Sequence, residues 1–114
     1  MIEFTDFAKV EMRVGRIVEA LPFSGARKPS YRLRIDFGPE IGERSSSAQL
    51  TATYPDPAGL IGRQVVAVVN FPPRLIAGFA SQVLVLGAMG EGDGAGEVWL
   101  LQPGPAAPLG ARIG

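Results

Sequence analysis

The sequence contains no cysteine and no histidine among its 114 residues. Without cysteine the chain can form neither disulfide bonds nor thiolate metal sites, and it has no thiol nucleophile. Without histidine it lacks the commonest general base, the commonest ligand of transition metals and the usual partner of a catalytic serine. Carboxylates alone can still catalyse reactions, so these two absences argue against an enzyme without excluding one.

An excess of charge of one sign is also absent, because 11 basic and 11 acidic residues cancel. Any attraction to nucleic acid or to a membrane must therefore come from a local patch. The longest aliphatic run, residues 65–69, is far too short to span a bilayer. The N-terminal residues show neither the basic region nor the apolar core of a signal peptide. We expect a cytoplasmic protein with no membrane insertion.

Helical spacing is scarce, and the chain is patterned mainly as short strands separated by turns. One short helix is predicted over residues 5–10, with Thr5 as its cap. Strands are predicted over residues 13–21, 31–37, 46–54, 64–71, 82–86 and 98–101. Gly15 lies inside the long first strand, which favours a bend or bulge at a barrel corner. This pattern is typical of a small barrel or sandwich. It favours one all-β domain, residues 1–114, built as a five-stranded OB-fold barrel with a short N-terminal helix and short extra strand elements.

Two segments, residues 65–69 and 83–86, do not alternate between apolar and polar side chains. An antiparallel strand with one solvated face should alternate, so the outer apolar faces of these segments need a cover. The chain has little helix to provide it. We expect a second copy to cover them in a two-fold homodimer. The alternative is that the terminal segments of the same chain cover them.

Basic residues cluster between residues 13 and 34, where Glu19 is the one acid. The cluster consists of Arg13, Arg16, Arg27, Lys28, Arg32 and Arg34. Arginine binds phosphates in a bidentate manner, so this cluster is a candidate for nucleic-acid binding. The commoner alternative is the solvated face of two strands.

Two further segments have the composition of a recognition surface. Residues 44–49 place hydroxyls, an amide and a cation on one predicted strand, which is either a ligand face or an edge strand kept polar against aggregation. In residues 70–82, two prolines stiffen a loop that presents apolar side chains beside polar ones. Such loops suit the recognition of peptides or stacked bases. The alternative is that these apolar side chains pack the loop onto the barrel.

No segment contains a catalytic motif. Asp36 and Glu40 are the only candidate pair of carboxylates, and residues 90–96 lack the lysine and the following helix of a phosphate-binding loop. We therefore predict a binding protein, not an enzyme, without metal or cofactor. A small hydrolase that uses carboxylates is the least favoured hypothesis.

The residues from Phe7 to Ile17 resemble the opening of the tRNA-binding domain family. Residues 26–33, 35–38, 46–51, 70–87 and 111–114 are more specifically similar to the CsaA-type branch of that family, which is bacterial, chaperone-like and related to secretion. The likeness runs in order along essentially the whole chain. It implies an OB-fold homodimer in the cytoplasm.

The resemblance also implies a ligand and its site. Members of the CsaA-type branch are described as binding unfolded peptides or preproteins, with ties to the export ATPase SecA, in apolar pockets near the dimer interface. By position, the implied peptide-binding residues are Phe71, Pro72, Pro73, Arg74, Phe79 and Ser81, helped by Ser46, Ser47 and Gln49. The alternative is a protein that binds tRNA in trans through the same surface. Its implied residues are Arg27, Lys28, Arg32, Asn70, Arg74 and Ser81.

Two departures favour the peptide over tRNA. The tRNA-binding members typically place a Gly-Met pair where this chain has Val83 and Leu84. They are also richer in lysine around the ligand face, whereas Leu75 and Ala80 are uncharged here. Both differences make the expected surface more apolar.

Overall fold

The computed structural model describes all 114 residues, and most of its regular structure is strand. One short helix, α1 (Phe4–Ala8), precedes nine strands. The strands are β1 (Met12–Pro22), β2 (Tyr31–Asp36), β3 (Glu43–Ala48), β4 (Gln64–Val68), β5 (Arg74–Ile76), β6 (Phe79–Ser81), β7 (Leu84–Val85), β8 (Gly87–Met89) and β9 (Val98–Leu100). Turns of 3-10 helix lie at Pro57–Leu60 and Gly92–Gly94. No helix has both the length and the apolar character needed to cross a membrane.

Five strands form one antiparallel sheet in the order β3-β2-β1-β4-β7, while β5–β6 and β8–β9 form two separate hairpins. The sheet curls until β3 meets the residues that precede β7. There the Ser45 carbonyl accepts a hydrogen bond from the backbone N–H of Gln82 at 2.8 Å, and Ser46 Oγ donates to the Val83 carbonyl at 3.0 Å. The result is a nearly closed five-stranded barrel. The predicted all-β class, OB-fold barrel and short N-terminal helix are confirmed.

The core lies inside this barrel, and β2 shows how the sequence builds it. Leu33 and Ile35 are buried while Arg32 and Arg34 are exposed, as the alternation predicts. At the start of β2, the buried Tyr31 donates its hydroxyl hydrogen to the Tyr54 carbonyl at 2.7 Å. Burial raises the pKa of this hydroxyl, and the Asp56 carboxylate raises it further. Tyr31 therefore stays protonated, and remains a donor, throughout the neutral range.

Gly15 serves close packing and does not mark the bulge of this strand. The register of β1 against β2 shifts between Ile17 and Glu19, so the bulge predicted at Gly15 lies further along the strand. A Cβ atom on Gly15 would lie 2.6 Å from Ile35 Cγ2 and 2.7 Å from Phe37 Cε1. Only a residue without a side chain fits where β1 passes this close to the core.

Several predicted boundaries are wrong, each for a local reason. The helix begins at Phe4, and the Asp6 carboxylate accepts a hydrogen bond from the N–H of Glu3 at 2.9 Å, so Thr5 is not the cap. The third strand is Glu43–Ala48, not residues 46–54, because the chain turns after Leu50. Residues 70–82 contain the β5–β6 hairpin where a loop was expected, and residues 87–89 form a strand.

The strand β4 is buried on both faces within this one chain. Val65 and Ala67 are fully buried, and the exposed fractions of Val66 and Val68 are only 7% and 3%. The C-terminal segment runs beside the neighbouring strand β1, where the Val14 N–H donates to the Ala111 carbonyl at 3.0 Å. The argument that β4 needs a second copy to cover it is therefore wrong. In the other non-alternating segment, residues 83–86, the large side chain left half exposed is Leu84.

Candidate functional site

Two adjoining hollows lie around the β5–β6 hairpin. The first, called the apolar hollow, has a volume of about 220 Å³ and is lined by Ser47, Phe71, Pro72, Arg74, Ile76, Ser81, Gln82, Val83 and Leu84. The second, called the basic hollow, has a volume of about 560 Å³ and is lined by Ala26, Arg27, Lys28, Ser30, Ser47, Gln49, Arg74 and Ile76. The two hollows share Ser47, Arg74 and Ile76. They therefore form one continuous surface with an apolar half and a basic half.

A tight turn positions the hairpin between the two hollows. Ala77 and Gly78 join β5 to β6, and both have positive φ angles, 48° and 81°. Two left-handed residues in succession match the twist of the flanking strands. The tip of the hairpin meets the loop of residues 23–30, because a Cβ atom on Gly25 would lie 3.2 Å from the Ala77 Cβ. This contact places the loop's cations beside the hairpin.

The serine run on β3 forms the seam that closes the barrel. Ser45 Oγ donates to the Ala80 carbonyl at 2.6 Å, and Ser46 Oγ donates to Val83 as described above. The backbone N–H of Ser47 donates to Ser81 Oγ at 3.0 Å. Ser46 is buried in this seam, with 1% of its surface exposed. The structure therefore does not bring Ser46 to the surface of either hollow, and the run is polar largely because it bonds to residues 80–83.

The structure brings most of the predicted peptide-binding residues together. The apolar hollow includes Ser47, Phe71, Pro72, Arg74 and Ser81, and the basic hollow includes Gln49. Pro73 lines neither hollow. Phe79 also lies outside both, since its ring packs edge-to-face on Phe23 with centroids 5.4 Å apart. The apolar hollow also includes Ile76, Gln82, Val83 and Leu84, which the predicted peptide-binding set lacks. Ile76 and Gln82 lie within residues 70–82, which the sequence already indicates as a recognition segment. Val83 and Leu84 lie in the non-alternating segment, which was a signal for them.

The six predicted tRNA-binding residues separate into three groups. Arg27, Lys28 and Arg74 line the basic hollow, and none of them has a carboxylate within 4.0 Å. Arg32 lies over the Phe79 ring, 4.4 Å from its centroid. The side chains of Asn70 and Ser81 form hydrogen bonds within the protein. The Asn70 side chain donates to the Lys9 carbonyl at 2.8 Å and accepts from the Glu11 N–H at 2.9 Å, while Ser81 accepts from Ser47.

The basic cluster seen in the sequence is neutralised in part. Arg34 pairs with Glu19 at 3.4 Å and with Glu43 at 2.8 Å, and Arg13 pairs with Glu11 at 2.6 Å. The cations of the basic hollow keep their charge available for a ligand. No group of three or more acidic side chains lies close enough together to hold a metal ion.

Comparisons with known proteins give the family and the fold of the chain. Residues 12–112 match the family model described as "Putative tRNA binding domain". The chain is similar to the crystal structure of the chaperone CsaA from Bacillus anthracis, with 51% identity, a TM-score of 0.91 and coverage of 100% of this chain and 99% of that one. It is also similar to the CsaA chaperone protein from Picrophilus torridus, with 45% identity, a TM-score of 0.89 and full coverage of both chains. A third similar structure is the MetRS related protein from Pyrococcus horikoshii, with 30% identity, a TM-score of 0.85 and coverage of 99% and 97%.

Proposed function

The chain belongs to the tRNA-binding domain family, and from that premise we propose that it is a chaperone-like protein that binds unfolded peptides or preproteins in the apolar hollow. The two similar CsaA proteins are described as chaperones. The observation that supports the proposal most directly is the apolar hollow itself. Its wall combines an aromatic ring, a proline and three aliphatic side chains at the surface of the barrel.

The apolar wall supplies the binding energy in this proposal. Phe71 and Leu84 each leave about half of their surface exposed, at 50%. A ligand side chain that covers them gains roughly 25 cal/mol for each Å² of apolar surface removed from water. The hollow of about 220 Å³ is smaller than the roughly 300–1,000 Å³ typical of pockets for drug-sized ligands. It suits one or two apolar side chains of an extended polypeptide.

Polar groups beside the wall can hold the backbone of such a polypeptide. Gln82 Oε1 accepts a hydrogen bond from the Ser45 N–H at 2.9 Å, which fixes the amide and leaves its NH₂ group free to donate. Ser81 Oγ accepts from Ser47 and donates to no acceptor in the protein. Arg74 has no carboxylate partner. These donors suit the carbonyl groups of an unfolded chain, whatever its side chains.

We expect Leu84→Glu to weaken binding of an unfolded, export-type polypeptide by at least about tenfold, because the variant places a charge in the wall that the ligand must desolvate. The control is Leu21→Glu, since Leu21 is also a strand leucine and is 49% exposed against 50% for Leu84, but lies outside both hollows. Fluorescence anisotropy of the labelled polypeptide measures both affinities. Equal affinities of Leu84→Glu and the unchanged protein would count against the apolar hollow as the binding site.

The proposal also includes a cytoplasmic homodimer, with one domain of residues 1–114 in each copy. Helix α1 buries none of its residues, and Ile2 and Phe4 are 78% and 79% exposed. Apolar side chains exposed side by side typically mark a surface for association. We expect sedimentation equilibrium to give the mass of two chains, and Phe4→Asp to shift the mass toward one. Met89→Asp, at a residue that is 80% exposed on the β8–β9 hairpin, is the control. A monomer mass that does not change with concentration would exclude the dimer.

A second candidate function is the binding of tRNA, and the basic hollow favours it. The hollow lies between the loop that follows β1 and the segment that follows β4, which are the two loops that OB barrels use to bind oligonucleotides. Its three cations lack carboxylate partners, so they are available to phosphates. Because the two hollows share a wall, one surface could bind both ligands. Contact with SecA stays a prediction from the sequence.

A further inference from the structure

A third hollow lies against β1 and β4, apart from the two described above. It has a volume of about 440 Å³, and its polar side chains are those of Arg16, Arg63, Gln64 and Gln102. Its apolar side chains are those of Pro103 and Pro105. We propose that this arginine hollow is a binding site for a phosphate group. The proposal is independent of the peptide-binding and tRNA-binding functions of the other two hollows.

Arg63 is held in place before any ligand binds. Its Nε donates to the Gly59 carbonyl at 3.1 Å, and its guanidinium carbon lies 5.0 Å from the centroid of the Tyr54 ring. The two terminal nitrogens have no acceptor in the protein. A guanidinium fixed at its base with its terminal donors free loses little side-chain entropy on binding an anion. Arg63 is therefore preorganised as a donor.

Arg16 provides a second guanidinium in the same hollow. The backbone places the two arginines side by side, because the N–H of Ile17 donates to the Arg63 carbonyl at 2.9 Å. The Arg16 side chain makes neither a hydrogen bond nor an ion pair in the protein. Its cross-strand neighbour Asp36 is occupied elsewhere, since this carboxylate accepts a hydrogen bond from the Gly38 N–H at 2.8 Å.

The remaining walls add neutral donors and no negative charge. The Gln64 side chain donates to the Ala107 carbonyl at 3.1 Å, which fixes the C-terminal segment beside the hollow. The side-chain amide of Gln102 has no partner in the protein. No Asp or Glu lines the hollow. Two neighbouring cations repel each other, and an anion with several oxygens relieves the repulsion while it accepts bidentate hydrogen bonds.

A phosphate group matches this donor set best. It offers multiple oxygens to two guanidinium groups and an amide. Two sources share this chemistry, a free phosphate or pyrophosphate ion and the phosphodiester of an RNA strand. This arginine hollow is separate from the basic hollow. Arg16 lies in β1, which continues to Pro22 before the loop of residues 23–30 begins. At roughly 3.4 Å per residue, the strand from Arg16 to Pro22 is about 20 Å long.

The test is a titration of the full chain, followed by NMR of its side-chain amides and arginine Nε–H groups. The ligands are inorganic phosphate, pyrophosphate and a short single-stranded RNA, each added separately. We expect saturable shifts at Gln102 and Arg63, and Arg16→Gln should weaken binding by about tenfold because a charge-assisted hydrogen bond is lost. Arg44→Gln is the control, since Arg44 is also a strand arginine without an ion pair and lines none of the three hollows.

Each outcome has a definite meaning. Shifts with the free ions alone assign the hollow to a free phosphate ligand, and shifts with RNA alone assign it to a phosphodiester. In either case Arg16→Gln must weaken binding while Arg44→Gln does not. The absence of saturable shifts with all three ligands, or equal binding by Arg16→Gln and the unchanged protein, would overturn the proposal. A variant with Arg27, Lys28 and Arg74 replaced by Gln should keep these shifts, which separates this site from the basic hollow.

Discussion

Replacing Arg27, Lys28 and Arg74 together by Gln is expected to lower the affinity for tRNA by about a hundredfold at physiological salt, if the basic hollow binds it. Each cation that neutralises a phosphate releases counterions, and three such contacts account for a loss of about this size. The same variant should make the slope of log affinity against log salt shallower by about 2–3. Titrations of labelled tRNA at several salt concentrations measure both quantities.

The control must remove the same charge from another part of the surface. Lys9, Arg34 and Arg44 lie outside the basic hollow, and their joint replacement by Gln changes the net charge by the same amount. If this control weakens tRNA binding as much as the first variant does, the attraction is a general effect of charge and the basic hollow is not its site. Persistence of tRNA binding in the first variant would exclude the hollow directly.

The shared wall makes the two proposed functions compete. Arg74 and Ile76 line both hollows, so a polypeptide side chain in the apolar hollow brings its backbone next to the cations of the basic hollow. A tRNA phosphate at Arg74 would occupy the same space. The Leu84→Glu variant should lose the polypeptide. A variant with Gln at Arg27 and Lys28, which line the basic hollow alone, should lose tRNA. Opposite losses in the two variants would show that the surface has two separable halves.

The sequence predicts the barrel well where a strand has one wet face. In β2, the alternation of Leu33 and Ile35 with arginines corresponds to the burial that the structure shows. It fails where both faces are covered, because residues 65–68 of β4 are all apolar for reasons internal to this chain. The residues of β4 are buried within a single chain, and such burial depends on segments that are distant in sequence. No local pattern distinguishes that case from an open face that awaits a partner.

The residue types of the candidate site could be predicted from the sequence, but their local structure and contacts could not. The hairpin β5–β6 has strands of three residues, which are too short for a periodic signal, and its turn is Ala77-Gly78 instead of the Asn-Gly or Asp-Gly that marks such turns. The serine run is polar because it closes the barrel, and a sequence cannot distinguish a hydroxyl that bonds to its own chain from one that awaits a ligand. Phe79 was assigned to the peptide site by position from the family resemblance, yet its ring packs against Phe23 and Arg32.

The tight packing at Gly15 predicts a large loss of stability from a single methyl group. Alanine normally stabilises a strand interior relative to glycine by roughly 0.5–1 kcal/mol. At this position the added Cβ would lie 2.6 Å from Ile35 Cγ2 and 2.7 Å from Phe37 Cε1. Ile35 and Phe37 are 0% and 1% exposed, so neither side chain has open space into which it can move. Overpacking should therefore outweigh the intrinsic preference for alanine.

We expect Gly15→Ala to lower the free energy of unfolding by about 2–3 kcal/mol, the cost of forcing extra volume into a filled core. The matched control is Gly59→Ala, because a Cβ on Gly59 would meet nothing within 4 Å and should change stability by no more than about 0.5 kcal/mol. Chemical denaturation followed by the fluorescence of Trp99 measures both variants. A Gly15→Ala protein as stable as the control would mean that β1 can move away from the core at this point. The close approach would then not be the reason why the long first strand needs a glycine here.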